Sequence, residues 1–277
     1  MPQLPSRIRI PDLIRKKKRR EKIATLTAYD ATMARILDRA GVDILLVGDS
    51  LGTVILGHPS TIPVTLDAMI HHTRAVVNGT SRALVVADLP FLTYQVSLEE
   101  AVRNAGRLIQ EGGAAAVKLE GGEPVVDRVH RLSEIGIAVM GHIGLTPQSE
   151  HRLGGYRMVG KTEIEAQRLV RDARMLEQAG AFAVVLECMP ANVAARITDE
   201  LAIPTIGIGA GPYCDGQVLV SYDAFGLFDE FQPSFVKRYA NLGEEMTAAA
   251  RQYIADVQEG RFPAAEHVAD KLSEKAQ

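Results

Sequence analysis

The chain has 277 residues, 47% of them hydrophobic, which is enough to bury a large core; α/β barrels routinely use this length for one domain. Its 31 basic and 34 acidic residues leave a formal net charge of -3, so nothing draws it globally to nucleic acid or an anionic membrane, and a small-molecule partner is expected. Two cysteines, Cys188 and Cys214, are too few for a disulfide framework, and no run of 18 apolar residues occurs, so the expectation is a cytoplasmic protein with no membrane association.

The first feature along the chain is the basic run Arg15-Lys16-Lys17-Lys18-Arg19-Arg20. No apolar segment of the signal-peptide kind follows it, so it is expected to be a solvated arm or the exposed face of a first helix. Beyond it a module recurs, in which a helical stretch ends in glycine and a short, continuous apolar run follows. Strands are expected at Ala24 to Ala28, Asp43 to Asp49, Ala83 to Asp88, Ala114 to Glu120, Ala138 to His142, Ala181 to Glu187, Thr205 to Gly209 and Val218 to Ser221. Runs without polar alternation fit strands covered on both faces, and the glycines at 41, 79, 113, 136 and 180 are expected to supply the positive φ that ends each preceding helix. Ser97 with Glu100 and Thr162 with Glu165 have capping-box spacing at helix starts. Eight strands in βα order favour a closed TIM (β/α)8 barrel over a doubly wound sheet. No low-complexity linker divides residues 1–277, so one domain is expected, with a polar tail or final helix from Ala264 to Gln277.

Active sites of such barrels lie at the C-terminal ends of the strands. The residues closing the apolar runs are Tyr29 and Asp30, Asp49 and Ser50, Asp88, Lys118 with Glu120, His142, and Glu187. A lone strand-end acid is as readily a helix N-cap, but several carboxylates at one mouth repel unless a cation neutralises them. Oxygen donors without a Cys or His cluster favour magnesium over zinc. Lys118 and Glu120, two apart on one strand, face the same side. An inward lysine can bind a substrate carboxylate, stabilise an enolate oxygen, form a Schiff base, or simply pair with a neighbouring acid. Gly207-Ile208-Gly209-Ala210-Gly211 lacks the spacing of a dinucleotide loop and is expected to be a tight turn, and Gly160-Lys161-Thr162 lacks an upstream Walker glycine.

Several segments together resemble the ketopantoate hydroxymethyltransferase family, from Thr27 to about Tyr239. They are Thr27-Ala28-Tyr29-Asp30, Val47 to Gly52, Pro63 to near His72, Ala87-Asp88-Leu89-Pro90-Phe91, Val117 to Gly122, Gly141 to Ser149, Glu187, and Ile206 to Gln217. The resemblance implies magnesium held by Asp49 and Asp88, with Glu120 acting through water, and a 2-oxo acid whose carboxylate end is held by Ser50 and Lys118. It also implies Glu187 as the base that takes the C3 proton of 3-methyl-2-oxobutanoate. The enolate would attack the one-carbon unit of 5,10-methylenetetrahydrofolate to give 2-dehydropantoate, in pantothenate biosynthesis. His142 is implied as a substrate-site or proton-handling group, and the protein as a homo-oligomer, often a decamer. One departure is Val159 before Gly160, where the family pattern leads us to expect glutamine. The rival reading is a magnesium-dependent 2-oxo-acid lyase of isocitrate-lyase-like type, which would need no folate and would present a reactive cysteine. A barrel without catalytic activity, serving as a binding subunit, is disfavoured by the joint presence of Asp49, Asp88, Lys118, Glu120 and Glu187.

Overall fold

The computed structural model describes residues 6–155, 157–229 and 233–268. Eight parallel strands close into a barrel in sequence order: β1 (Ile23–Thr27), β2 (Ile44–Val47), β3 (Leu84–Asp88), β4 (Ala116–Glu120), β5 (Val139–Gly144), β6 (Ala183–Glu187), β7 (Thr205–Ile208) and β8 (Gly216–Leu219). β8 returns to β1, pairing Ile23 with Gly216 and Thr25 with Val218, so the sheet has no edge. The expected TIM barrel is the observed one. The last strand begins two residues earlier than its apolar run, because Gly216 and Gln217 take part in the pairing with both β7 and β1.

Alternate residues of each strand point inward, and those of the lower barrel are apolar. Ile23, Ile44, Leu46, Leu84, Val86, Ala116, Met140, Ala183, Val185, Ile206 and Val218 form one buried cluster. The next inward positions are Asp88, Lys118, Glu120, His142 and Glu187. The interior therefore changes from hydrocarbon to charge as each strand approaches its C-terminal end.

Helices cover the outside at Ala31–Ala40, Leu66–Gly79, Leu98–Gln110, Val126–Glu134, Glu163–Gln178 and Ala191–Glu200. The Thr162–Glu165 pair forms a complete reciprocal capping box; Ser97 accepts the Glu100 amide, the half of the motif that the Ser supplies. Left-handed glycines stand at 41, 113, 136 and 180, whereas Gly79 stays helical. A Cβ there would lie 2.3 Å from the Ala31 carbonyl oxygen, so glycine serves close helix–helix approach at that position. The β7–β8 connection, residues 209–215, carries no helix and includes positive-φ Gly209 and Gly211, in keeping with the expected tight turn.

The basic N-terminal run is not a solvated arm. Ile10–Lys18 is a helix that inserts buried Leu13, with Ile8 and Ile10, into the lower core cluster. Lys16 Nζ lies 2.7 Å from Asp43 Oδ2 and Lys17 Nζ 2.7 Å from Asp215 Oδ2, at the N-terminal ends of β2 and β8. Arg82 reaches Asp43 at 3.5 Å from the start of β3. Two of the six basic residues of the run, Lys16 and Lys17, thus fasten a floor under the barrel, while Arg15, Lys18, Arg19 and Arg20 stay exposed, in keeping with the expected first-helix face.

The chain divides into two compact units, residues 1–221, which contain the whole barrel, and 222–277. Within the second, Leu242–Gln258 is a helix with no buried residue among those described, and Ala265–His267 is a single 3-10 turn. The expected tail beyond Val268 lies outside the described residues. Leu13 is fully buried, so Leu13→Ala is expected to lose about 2–5 kcal/mol in chemical denaturation. A denaturation midpoint equal to that of the wild type would show that the helix does not seal the barrel.

Candidate active site

Register brings the charged residues together. Asp88 is paired with Lys118, Glu120 with His142, and Gly144 with Glu187 across successive strands. Asp49 and Ser50 follow the end of β2 after Gly48, where a Cβ would lie 2.7 Å from Ser50 Oγ. Gly144 has φ +98°, and a Cβ there would sit 2.1 Å from the Glu187 carbonyl oxygen, which accepts the Leu145 amide. Any side chain at 144 would displace the end of β6 and the carboxylate it carries. Cys188, next in the chain, has φ 47°, an unusual left-handed conformation for a residue other than glycine.

Asp49, Asp88, Lys118, Glu120 and His142 are all buried, and Glu187 stands at the opening with its side chain 13% exposed. The Lys118 ammonium lies 3.0 Å from Asp88 Oδ1 and 3.3 Å from His142 Nδ1. An ammonium only donates, so Nδ1 is the acceptor and the imidazole proton sits on Nε2. That nitrogen is 3.0 Å from Glu187 Oε2, close but out of line for a regular hydrogen bond. Burial and the Lys118 charge push His142 below its usual range, so it is neutral. Burial alone would lower Lys118, but Asp88, Glu120 and Asp49 outweigh it and hold its proton firmly, which disfavours a Schiff-base role. Desolvation, followed by the Asp88 charge, pushes Asp49 up to about 7; desolvation and Asp49 push Glu120 well above the carboxylate range.

Three buried carboxyl groups thus share one lysine, and without a cation their mutual repulsion is relieved by protons held on Asp49 and Glu120, which a bound cation would displace. Asp88 Oδ1 is engaged by the Lys118 ammonium, while Asp88 Oδ2 accepts the Asp49 amide at 3.1 Å. Among the described residues no three His, Cys, Asp or Glu side chains converge as a closed metal cage. Two oxygen donors with room for water and substrate suit magnesium, which usually keeps several non-protein ligands, better than zinc.

Two expectations need correction or refinement. Asp30 is exposed and accepts from the Thr32 and Met33 amides, so it is a helix N-cap away from the charged cluster. Ser50 joins the mouth through Tyr29, whose hydroxyl is 2.9 Å from Ser50 Oγ. His72 Nδ1 in turn lies 2.7 Å from the Tyr29 carbonyl oxygen. The strand-end rule missed Tyr94 and the part played by Gln148. Both lie in loops beyond β3 and β5, where periodicity carries no signal, although Gln148 falls inside a family-like segment. Gln148 Nε2 donates to Asp49 Oδ2 at 2.8 Å and its backbone amide to Glu120 Oε2 at 3.1 Å; the Tyr94 hydroxyl donates to Gln148 Oε1 at 2.8 Å. Val159, the departure from the family pattern, is half-buried and anchors its loop through its backbone amide, which donates to the Cys188 carbonyl, a bond that any residue but proline can supply.

A model of the ketopantoate hydroxymethyltransferase family matches residues 7–265. The 3-methyl-2-oxobutanoate hydroxymethyltransferase of Syntrophus aciditrophicus (strain SB) is 59% identical over 251 residues, 91% of this chain and 92% of that one. That of Moorella thermoacetica (strain ATCC 39073 / JCM 9320) is 58% identical over 262 residues, 95% of this chain and 97% of its own. Among solved structures, phosphonopyruvate hydrolase in complex with oxalate and Mg++ superposes with a TM-score of 0.60 at 12% identity, covering 97% of this chain and 96% of that one. A 2,3-dimethylmalate lyase of the PEP mutase/isocitrate lyase superfamily gives 0.59 at 17%, covering 95% and 92%. At these identities the structural likeness shows the fold alone.

Neither thiol suits the lyase alternative. Burial and then Glu187 push Cys188 up to about 12, and burial raises Cys214 as well. A thiol, not a thiolate, is a poor nucleophile and a slow target for alkylation. Iodoacetamide at pH 8 is therefore expected to leave both cysteines of the native protein unlabelled over a period that labels the denatured chain fully. Rapid native labelling of Cys188 would restore the lyase reading.

Proposed function

This chain belongs to the ketopantoate hydroxymethyltransferase family, and from that premise we propose how its charged mouth performs the reaction. It is an enzyme, a transferase of pantothenate biosynthesis acting on 3-methyl-2-oxobutanoate. The observation that carries the residue-level reading is the meeting, at the C-terminal mouth of one barrel, of Asp49, Asp88, Lys118, Glu120 and His142 with Glu187 at its opening.

In this reading Asp49 and Asp88 hold magnesium directly and Glu120 holds it through water. The bound ion would supply Lewis-acid stabilisation of the negative charge that develops on the 2-oxo group. The gathering of three buried carboxyl groups around a single lysine supports that assignment. Lys118 and Ser50 bind the carboxylate end of the substrate, Lys118 as a permanent cation and Ser50 as a hydroxyl aligned by Tyr29. Being buried, this end excludes water and fixes the acid with its C3 toward the opening.

Glu187 takes the C3 proton. His142, neutral and with its proton on Nε2, places that nitrogen 3.0 Å from Oε2 of Glu187, and its other nitrogen accepts from Lys118. The same imidazole thus lies between the group that binds the acid and the group that takes its proton. The carbon nucleophile then bonds to the methylene carbon of 5,10-methylenetetrahydrofolate, which approaches from the solvent side; both C–N bonds to that carbon break, one water supplies the hydroxyl of the product, and tetrahydrofolate leaves with the C3 proton and the remaining proton of the water on its two nitrogens. Two further parts of the reading are a cytoplasmic location, which rests on the low cysteine count and the two free thiols, and a homo-oligomer, a decamer, which rests on the family resemblance. No helix among the described residues is long and apolar enough to cross a membrane.

Turnover of 3-methyl-2-oxobutanoate with 5,10-methylenetetrahydrofolate, followed as 2-dehydropantoate by mass spectrometry, is expected with magnesium and to disappear on chelation and return on readdition. Product formed without folate would sink the donor assignment. Glu187→Gln is expected to slow solvent-deuterium exchange at C3 by about 10²–10⁴-fold, the usual contribution of a positioned base. Exchange in that variant at the wild-type rate would remove Glu187 from the role.

A further inference from the structure

The side chain of Gln148 is 4% exposed as a residue and every hydrogen-bonding capacity of its amide is used. Nε2 donates to Asp49 Oδ2 at 2.8 Å and to the Leu89 carbonyl at 3.0 Å. Oε1 accepts from the Tyr94 hydroxyl at 2.8 Å and from Gln95 Nε2 at 3.2 Å. Its backbone amide donates to Glu120 Oε2 at 3.1 Å. The Tyr94 hydroxyl also lies 3.1 Å from both the backbone amide and the carbonyl of Glu120. One residue from the loop after β5 therefore touches groups supplied by β2, β3 and β4.

The direction of these bonds matters more than their number. An amide can present either its NH2 or its oxygen to a neighbour, and an oxygen facing Asp49 would repel it. The Tyr94 hydroxyl and the Gln95 amide both donate to Oε1, which turns the NH2 toward Asp49 and keeps it there. Asp49 is held by one oxygen, and its carboxylate plane is set by a donor that carries no charge. A lysine in the same place would balance the carboxylate and compete with any cation; an amide orients it and leaves its charge available. Because the Gln148 backbone also holds Glu120, the two carboxylates are positioned by the same residue.

We propose that Gln148, locked by Tyr94 and Gln95, is a positioning residue that presents Asp49 and Glu120 to a divalent cation, so that cation affinity depends on an amide that does not itself bind the metal or the substrate. The inference rests on the assignment of Asp49 as a metal ligand made above. Removing a partner that orients a metal ligand typically costs about 10–100-fold in metal affinity or activity.

The test is manganese(II) binding by electron paramagnetic resonance, with and without 3-methyl-2-oxobutanoate, on the full-length wild type, Gln148→Met and Tyr94→Phe. Met keeps the length and bulk of Gln and removes both donors. Tyr94→Phe removes only the hydroxyl, and so leaves the amide present but free to turn. The expected result is a manganese dissociation constant raised about tenfold or more in Gln148→Met and by a smaller factor in Tyr94→Phe, with the melting temperature of each metal-free variant within a few degrees of wild type. A merely structural role would lower that melting temperature and leave the affinity of the folded fraction unchanged, and this outcome overturns the proposal. Wild-type affinity in both variants overturns it too, while leaving the metal assignment standing. A wild-type protein that binds no manganese with or without the oxo acid removes the metal assignment and this inference together.

Discussion

The upper end of this barrel keeps several carboxylates out of water with a single lysine to balance them. Taking a charge from water into a protein interior costs several kcal/mol unless it is paired. Asp49, Asp88 and Glu120 are each no more than 5% exposed. The closed sheet makes that burial unavoidable, because residues two apart on a strand must face the same way and the barrel allows no strand to turn outward. Other features of the mouth follow as adaptations to this burden. Lys118 stays charged, His142 stays neutral, and the amide of Gln148 and the hydroxyl of Tyr94 are arranged so that the carboxylates keep fixed orientations.

The lower end faces a similar problem and solves it differently. Asp43 is met by Lys16, Arg82 and the Ala24 amide; Asp215 is met by Lys17, by the Thr205 hydroxyl and by the Thr205 amide. Each acid there has its own cation, and the apolar residues of the first helix fill the space between. Balanced pairs over a sealed core make a floor, and carboxyl groups that share one lysine at an opening make a site that wants a ligand. The division follows the general polarity of such barrels, with stability at the N-terminal face and chemistry at the other.

Much of this was legible in the residues. Continuous apolar runs located the strands, since a parallel strand is buried on both faces and shows no alternation to confuse with a helix. The residue closing each run then named Asp88, Lys118, Glu120, His142 and Glu187, because parity and strand end together determine where a side chain points. Asp30 was legible only as a strand-end acid, and whether such an acid caps a helix or enters the mouth depends on one backbone turn that pattern does not specify. The basic helix was opaque for another reason. Its partners lie 27 and 198 residues away, so a local charge count sees a polar face where the fold makes ion pairs. Tyr94 and Gln148 belong to loops, whose conformation depends on the groups they meet.

The distance between Lys17 and Asp215 bears on how the molecule is made. During synthesis at about 5–20 residues per second, the first helix emerges roughly 10–40 s before the acid that fastens it. β1 likewise waits for β8, its second neighbour in the sheet. Closure of the sheet therefore waits for the last strand, and until then the nascent chain carries an open β1 edge and only the nearer of the two lysine pairs that fasten its first helix. A protein with no edge when finished spends its assembly with one exposed.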